Sequence, residues 1–239
     1  MPILVGIDGT GSECAPGTER DARYDTAFAN SFVRRICRGK ANARYIRGPV
    51  MLGGGVVEGI SEALSFIETK HRQMPNEPIL LTGYSRGAAE MVAVAQRLHY
   101  LKIKVKALML FDCVDRSLDM NASVVPNNVE NVRHVIRNPA TRSRATFGNA
   151  GMRYSAPTKY PPTTMFMCTH GGMGGTPWAL PKDKKSNDFI NEGAAEAWFS
   201  PVRNGPVWTY RTNVTYAQDA AVSATIWAQV QPFLAAHGF

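Results

Sequence analysis

The sequence predicts an α/β protein, a mostly parallel sheet with helices on both faces, and three observations predict it. Short apolar runs alternate with amphipathic helical patterns over the first 112 residues. Most of the apolar runs are closed by a glycine-containing or polar turn. One of them, ILLTG, passes directly into a glycine-flanked serine and then an alanine-rich stretch, ILLTGYSRGAAEM at residues 79–91.

Taken in order, residues 3–8 (ILVGID) read as a buried strand closed by the turn GTGS. Phe28, Phe32 and Ile36 recur at four-residue spacing and predict one helix over 25–38. ARYIRG at 43–48 is a weaker strand. Behind Gly53-Gly54-Gly55, residues 55–70 carry Val56, Ile60, Leu64 and Ile67 on one helical face. A strand at 78–83, a helix at 86–100 and a strand at 104–112 come next. NVRHVI at 131–136 and TMFMCTH at 164–170 extend the sheet, and a last helix over 217–236 presents Val222, Ile226, Val230 and Phe233 to it.

Between Pro139 and Thr163 the pattern lapses for about 25 residues that include four prolines. A stretch of that length without periodicity reads as a functional flap or as disorder. It mixes Arg142, Arg144, Arg153 and Lys159 with Phe147, Met152, Tyr154 and Tyr160, a composition suited to a lid or substrate loop that meets acidic or lipid surfaces. No repeat or linker divides the 239 residues, so one domain over 1–239 is expected.

Composition narrows the function classes. With 44% hydrophobic and 19% charged residues the chain reads as an ordinary globule, and no apolar run approaches the roughly 20 residues that span a bilayer. The N-terminal MPILVGIDG lacks the basic and apolar regions of a secretory signal, so the expectation is a chain cytoplasmic as synthesised, with signal-independent export left open. The net charge of +8 favours anionic partners, with peripheral membrane contact among them. Nucleic acid is not expected, because no binding motif accompanies the charge and the basic residues do not alternate with aromatics. Cys14, Cys37, Cys113 and Cys168 are scattered, with no Cys-x-x-Cys pair. They read as reduced thiols rather than zinc ligands or a disulfide, Cys113 and Cys168 falling where strands are buried.

Gly83-Tyr84-Ser85-Arg86-Gly87 is the motif that carries chemistry. A nucleophile elbow holds its serine at a sharp strand-to-helix turn so that the hydroxyl stands above the sheet. The backbone there is strained, and flanking glycines relieve the crowding. Beyond it, the helix N-terminus offers amide donors to an oxyanion. The pattern alone is weak; the strand before it and the helix after it give it weight.

Such a serine needs a base, and the base an orienting carboxylate, in chain order Ser, Asp, His. The next strand ends in Asp112, with Asp115 a close rival. Of five histidines, His170 alone closes a strand and enters a glycine-rich loop, GGMGG, which makes it the candidate base. His134 falls inside a strand. Oxyanion donors are sought in the amide of Arg86 and, from the DGTGS turn, in Gly9 or Thr10, with Asp8 bracing that turn. No metal or organic cofactor is required.

GIDGTGS has other readings. A phosphate-binding turn of a sugar kinase can look similar, but leaves Ser85, Asp112 and His170 without a role. A dehalogenase nucleophile loop wants a second aspartate where Gly6 stands, and no Walker lysine is present after the turn. A hydrolase fold used only as an interaction module is the remaining alternative.

IDGTGS, GYSRGAAE, LMLFDCVD and CTHGGMGG, in that order over residues 3 to about 176, resemble the α/β-hydrolases related to type VI secretion phospholipase effectors. The resemblance implies Ser85 as nucleophile, Asp112 as acid and His170 as base, with Asp8-Gly9-Thr10 near the oxyanion hole. It implies a serine esterase, lipase or phospholipase acting on a small-molecule or lipid ester. Two positions depart from the family pattern: Tyr84 stands for the usual Phe, and Cys113 for the Thr after the acid.

Overall fold

The computed structural model describes residues 1–11, 19–50, 54–116, 120–145, 147–192 and 211–239. Cys14, Ser12 and Gly53 lie outside them.

Six parallel strands form the sheet: β1 (Ile3–Ile7), β2 (Ala43–Ile46), β3 (Ile79–Tyr84), β4 (Val105–Phe111), β6 (Val129–Arg137) and β8 (Thr164–Phe166). Their order across the sheet is β2-β1-β3-β4-β6-β8. The short β5 (Val124–Val125) pairs with β7 (Arg153–Tyr154), and β9 (Phe189–Asn191) with β10 (Arg211–Thr215), each outside the main sheet.

Alternation along the strands sorts the core into two layers, because successive side chains of a strand point to opposite faces. Ile3, Val5, Ile7, Leu81, Leu108 and Leu110 pack with α3 (Val56–Gln73) and α4 (Arg86–Tyr100) through Ala63, Ile67, Ala88, Met91 and Val92. Leu4, Leu80, Ala107, Met109 and Phe111 face the other way, onto α2 (Phe32–Cys37) and α6 (Tyr216–His237), through Phe32, Val33, Ile36, Ile226 and Val230. Of the four residues assigned to the inner face of the last helix, Ile226 and Val230 are buried while Val222 and Phe233 are partly buried. Helices therefore cover both faces of a parallel sheet, the expected class.

Three segments differ from the reading of the sequence. The helix predicted over 25–38 is two, α1 (Glu19–Ala27) and α2. Ser31 separates them by capping α2, its hydroxyl accepting from the Arg34 amide (3.1 Å) while donating to buried Asp8. The strand predicted over 164–170 ends at Phe166, because Asp219 of α6 draws the next residues away from the sheet. Its carboxylate accepts from the Thr169 amide (2.7 Å) and hydroxyl (2.9 Å). His170 consequently opens a one-turn helix, α5 (His170–Met173), capped by Thr169, rather than a flexible loop. Finally, the aperiodic stretch 139–163 divides. Its second half packs on the sheet, Tyr160 stacking on Tyr154 and bonding His134, while its first half turns toward His170.

Cys37, Cys113 and Cys168 are buried free thiols. Among the described residues no group of three or more His, Cys, Asp or Glu is placed to hold a metal ion, and no helix is long and apolar enough to cross a membrane.

One buried acid marks the α3–α4 contact. Glu90, one turn beyond Arg86, is fully buried, and neither carboxyl oxygen has a hydrogen-bond partner among the described residues. A Cβ on Gly59 of α3 would lie 2.6 Å from Glu90 Oε2, so the helices close tightly over it. Burial pushes this carboxyl up to about 9 from an ordinary 4.5, against the attraction of Arg86. A raised folded pKa means that stability is whole below about 4.5 and is lost as pH climbs toward 9. In urea unfolding, Glu90→Gln should gain on wild type between pH 5 and pH 8 by on the order of 4 kcal/mol. A difference that stays constant over that range would mean Glu90 ionises freely in the fold.

Candidate active site

The elbow is built as its sequence requires. Ser85 lies between β3 and α4 with φ 56°, a conformation costly for any residue with a side chain. The two glycines have separate reasons. A Cβ on Gly83 would sit 2.6 Å from Ala88 Cα and from the Gly87 carbonyl, so the strand could not fold back on the helix. A Cβ on Gly87 would meet the Asp8 carbonyl at 2.2 Å, so the helix could not approach β1. Ser85 stands at the N-cap of α4, yet its hydroxyl makes no capping bond. It lies instead 2.8 Å from His170 Nε2.

His170 Nδ1 is 2.6 Å from Asp112 Oδ2, which completes a line from hydroxyl through imidazole to carboxylate. Asp112 comes directly after β4 with φ 42° and is fully buried; Ser85 and His170 are nearly so. Asp115 is turned elsewhere, its carboxylate accepting from the Ala122 amide (2.7 Å). His134 is buried in β6, where Nε2 accepts from the Cys113 amide (3.1 Å), and desolvation pushes it down to about 4. The structure thus brings together Ser85, Asp112 and His170.

The Asp8–Thr10 turn lies beside the elbow. A Cβ on Gly9 would fall 3.3 Å from Ser85 Cβ. Gly9 itself donates its amide to Asp8 Oδ1 (3.0 Å), so the bracing expected of Asp8 is present and that donor is engaged within the turn. Asp8 Oδ2 accepts from Tyr45 (3.0 Å) and from Ser31, and Tyr24 donates to the Gly9 carbonyl (2.8 Å). Burial raises Asp8 to about 7 despite these bonds.

Electrostatics around His170 oppose one another. Burial alone would raise Asp112, but the charge of Arg137 and the bonds from His170 and the Arg137 amide hold it below the usual carboxylate value. Burial likewise lowers His170; Asp112 pulls it up, Arg137 and Arg144 press it down, and the result is below the ordinary 6.5. A lowered pKa favours the neutral imidazole, the form able to accept a proton.

Several supporting residues escaped the reading of the sequence. Tyr84, the departure from the family pattern, donates its hydroxyl to the His170 carbonyl (2.8 Å), which a phenylalanine cannot do. Ser143 accepts from the His170 amide (2.8 Å), and Asp219 fixes Thr169 one residue before. Phe147 stands edge-on to the imidazole with ring centroids 5.1 Å apart, and Arg116 and Arg144 lie over its ring at 5.3 and 5.8 Å. Arg137 is the largest omission. The only available signal was its place at the end of a strand next to the one that delivers Asp112.

A parallel sheet with helices on both faces, an elbow serine after β3, an aspartate directly after the adjacent β4 and a histidine at the start of α5, beyond β8, define a protein of the α/β-hydrolase fold class. Among solved structures the chain is similar to lysin B from Mycobacteriophage D29, at 22% identity and a TM-score of 0.31, over 46% of this chain and 44% of that one. It is also similar to a cutinase-like protein from Cryptococcus sp., at 22% identity and a TM-score of 0.27, over 45% and 51%. An acetyl xylan esterase is similar at 14% identity and a TM-score of 0.32, over 66% and 89%. The match therefore spans about half the length of the first two. No protein-family model and no curated protein matches the chain.

Proposed function

We propose that this protein is a serine hydrolase of carboxylic esters. The observation that carries the reading is the line Ser85 Oγ–His170 Nε2 at 2.8 Å and His170 Nδ1–Asp112 Oδ2 at 2.6 Å. In this reading His170 takes the Ser85 proton as Oγ attacks the ester carbonyl. Asp112 keeps Nδ1 protonated, so that Nε2 is the basic nitrogen. The tetrahedral oxyanion accepts hydrogen bonds from the amides of Arg86, the first residue of α4, and Thr10. Collapse expels the alcohol, protonated by His170, and leaves an acyl group on Ser85. Water, deprotonated by the same imidazole, then releases the acid.

For substrate, an anionic or lipid ester suits the surroundings best. The net charge is +8, and Arg116 and Arg144 flank Phe147, the side chain that borders His170. A fluorophosphonate probe tests the reaction class, because only an activated serine forms the adduct; the label should appear on the peptide holding Ser85. A panel of esters of graded acyl length, with phospholipids included, tests the substrate. Turnover of an anionic ester should fall with added salt more steeply than that of a neutral one of equal length, since exposed charges are screened beyond about 8–10 Å near physiological ionic strength. Equal salt dependence for the two would remove the electrostatic part of the reading. An unlabelled Ser85 would remove the reaction.

A further inference from the structure

We propose that Arg137 is a positioning residue of this site, one guanidinium that fixes the carboxylate behind His170 and fastens Arg144 and Gly148, on either side of Phe147, over the imidazole. The inference rests on the hydrolase reading above, and its evidence is geometric. Arg137 ends β6 and is only 5% exposed. Its Nη1 donates to Asp112 Oδ2, the oxygen that also faces His170, and its own amide donates to Asp112 Oδ1 (3.2 Å). From the other side, Nη2 donates to the Arg144 carbonyl (3.0 Å) and the Gly148 carbonyl (3.4 Å). The segment so held presents Phe147 to the imidazole, and its Ser143 accepts from the His170 amide (2.8 Å). One side chain therefore spans triad acid and covering loop.

The arrangement constrains proton placement. Arg137 Nη1 lies 2.9 Å from His170 Nδ1. A guanidinium carries donors only, so with Nδ1 protonated both groups converge on one carboxylate oxygen. Were Nδ1 bare, Arg137 would donate to it and Nε2–H would face Ser85, the unproductive tautomer. Asp112 settles this only if its charge and orientation are kept, and Arg137 supplies both. The cation also disfavours imidazolium. Other charged or titratable groups facing His170 are Asp112, Tyr84 from β3 and Arg144 from the loop. Beyond them, Asp219 acts through Thr169 and Glu192 through Ser143.

The test is the rate of fluorophosphonate labelling against pH for wild type, Arg137→Gln and Arg137→Lys. Glutamine removes the cation beside the imidazole, so the acid limb should move to higher pH. The plateau should fall about tenfold to a hundredfold, the worth of one charge-assisted hydrogen bond. Lysine keeps the charge but cannot bridge carboxylate and carbonyls. It should hold the acid limb near wild type while amide exchange at Arg144, Phe147 and Gly148 quickens. Equal plateau losses in both variants with unmoved acid limbs would mean a merely structural arginine and would overturn the proposal. Should neither variant fold, the wild type decides by NMR: Arg137 Nη protons that exchange slowly with solvent and shift as His170 titrates support the proposal, and protons that exchange freely or ignore that titration refute it. A wild type that never labels, at any pH, is a different result. It removes the hydrolase reading and this inference together.

Discussion

Ser85→Ala should lose at least a thousandfold in ester turnover while folding as wild type does. The loss is large because the other two residues have nothing left to activate, and single deletions within such a triad cost several orders of magnitude. The fold should survive because alanine occupies the same backbone and only the bond to His170 disappears. Strain supplies a second readout. At φ 56° and ψ −126° glycine is at ease, so Ser85→Gly should be more stable than Ser85→Ala by about 1 kcal/mol and equally inactive. Turnover retained above about a hundredth of wild type in either variant would exclude Ser85 as the nucleophile.

Asp112→Asn should be nearly as damaging, and for two reasons at once. An amide in place of the carboxylate permits the wrong imidazole tautomer, which in serine hydrolases costs roughly ten-thousandfold in rate. It also leaves Arg137 as a buried cation without its counter-charge, a change worth about 3–5 kcal/mol of stability. Removing that charge as well, in Asp112→Asn/Arg137→Gln, should return part of the stability and none of the rate. Asp115→Asn is the control, since that carboxylate serves the Ala122 amide. Steady-state kinetics and urea unfolding on the four proteins check all of this. A control that proved the more damaging substitution would place the acid three residues later.

The parts of the molecule legible in the sequence are those where local pattern and global structure agree. Buried parallel strands such as ILVGI and ILLTGY are apolar on both faces and announce themselves. The elbow was legible because its glycines answer to backbone contacts within a few residues of Ser85 and with the adjacent β1. The features that stayed hidden depend on contacts between distant segments. Nothing near residue 31 says that its hydroxyl must reach Asp8, yet that bond accompanies the cap which divides α1 from α2. Nothing around TMFMCTH says that Asp219 will claim Thr169 and end the strand early. Arg137 looked like one more basic residue in a basic chain. Its role appears only once β4 and β6 lie side by side with their ends level, Phe111 opposite Val135.

The dependence of His170 on α6 bears on when, during its own synthesis, the chain becomes competent. Ser85 leaves the ribosome before its imidazole partner, which is 85 residues further along, and the carboxylate that seats Thr169 is another 49 beyond His170 (219 − 170). Ser223 then closes the arrangement by donating to the Gly172 carbonyl (2.7 Å). Contacts of such separation form late, after the local helices and the first strand pairs. On the proposed hydrolase reading, a nascent chain would thus carry its elbow while the 134 residues from Ser85 to Asp219 (219 − 85) are made, with no imidazole aligned to it, and become reactive only as α6 docks. In that reading, hydrolytic competence would report that α6 has docked.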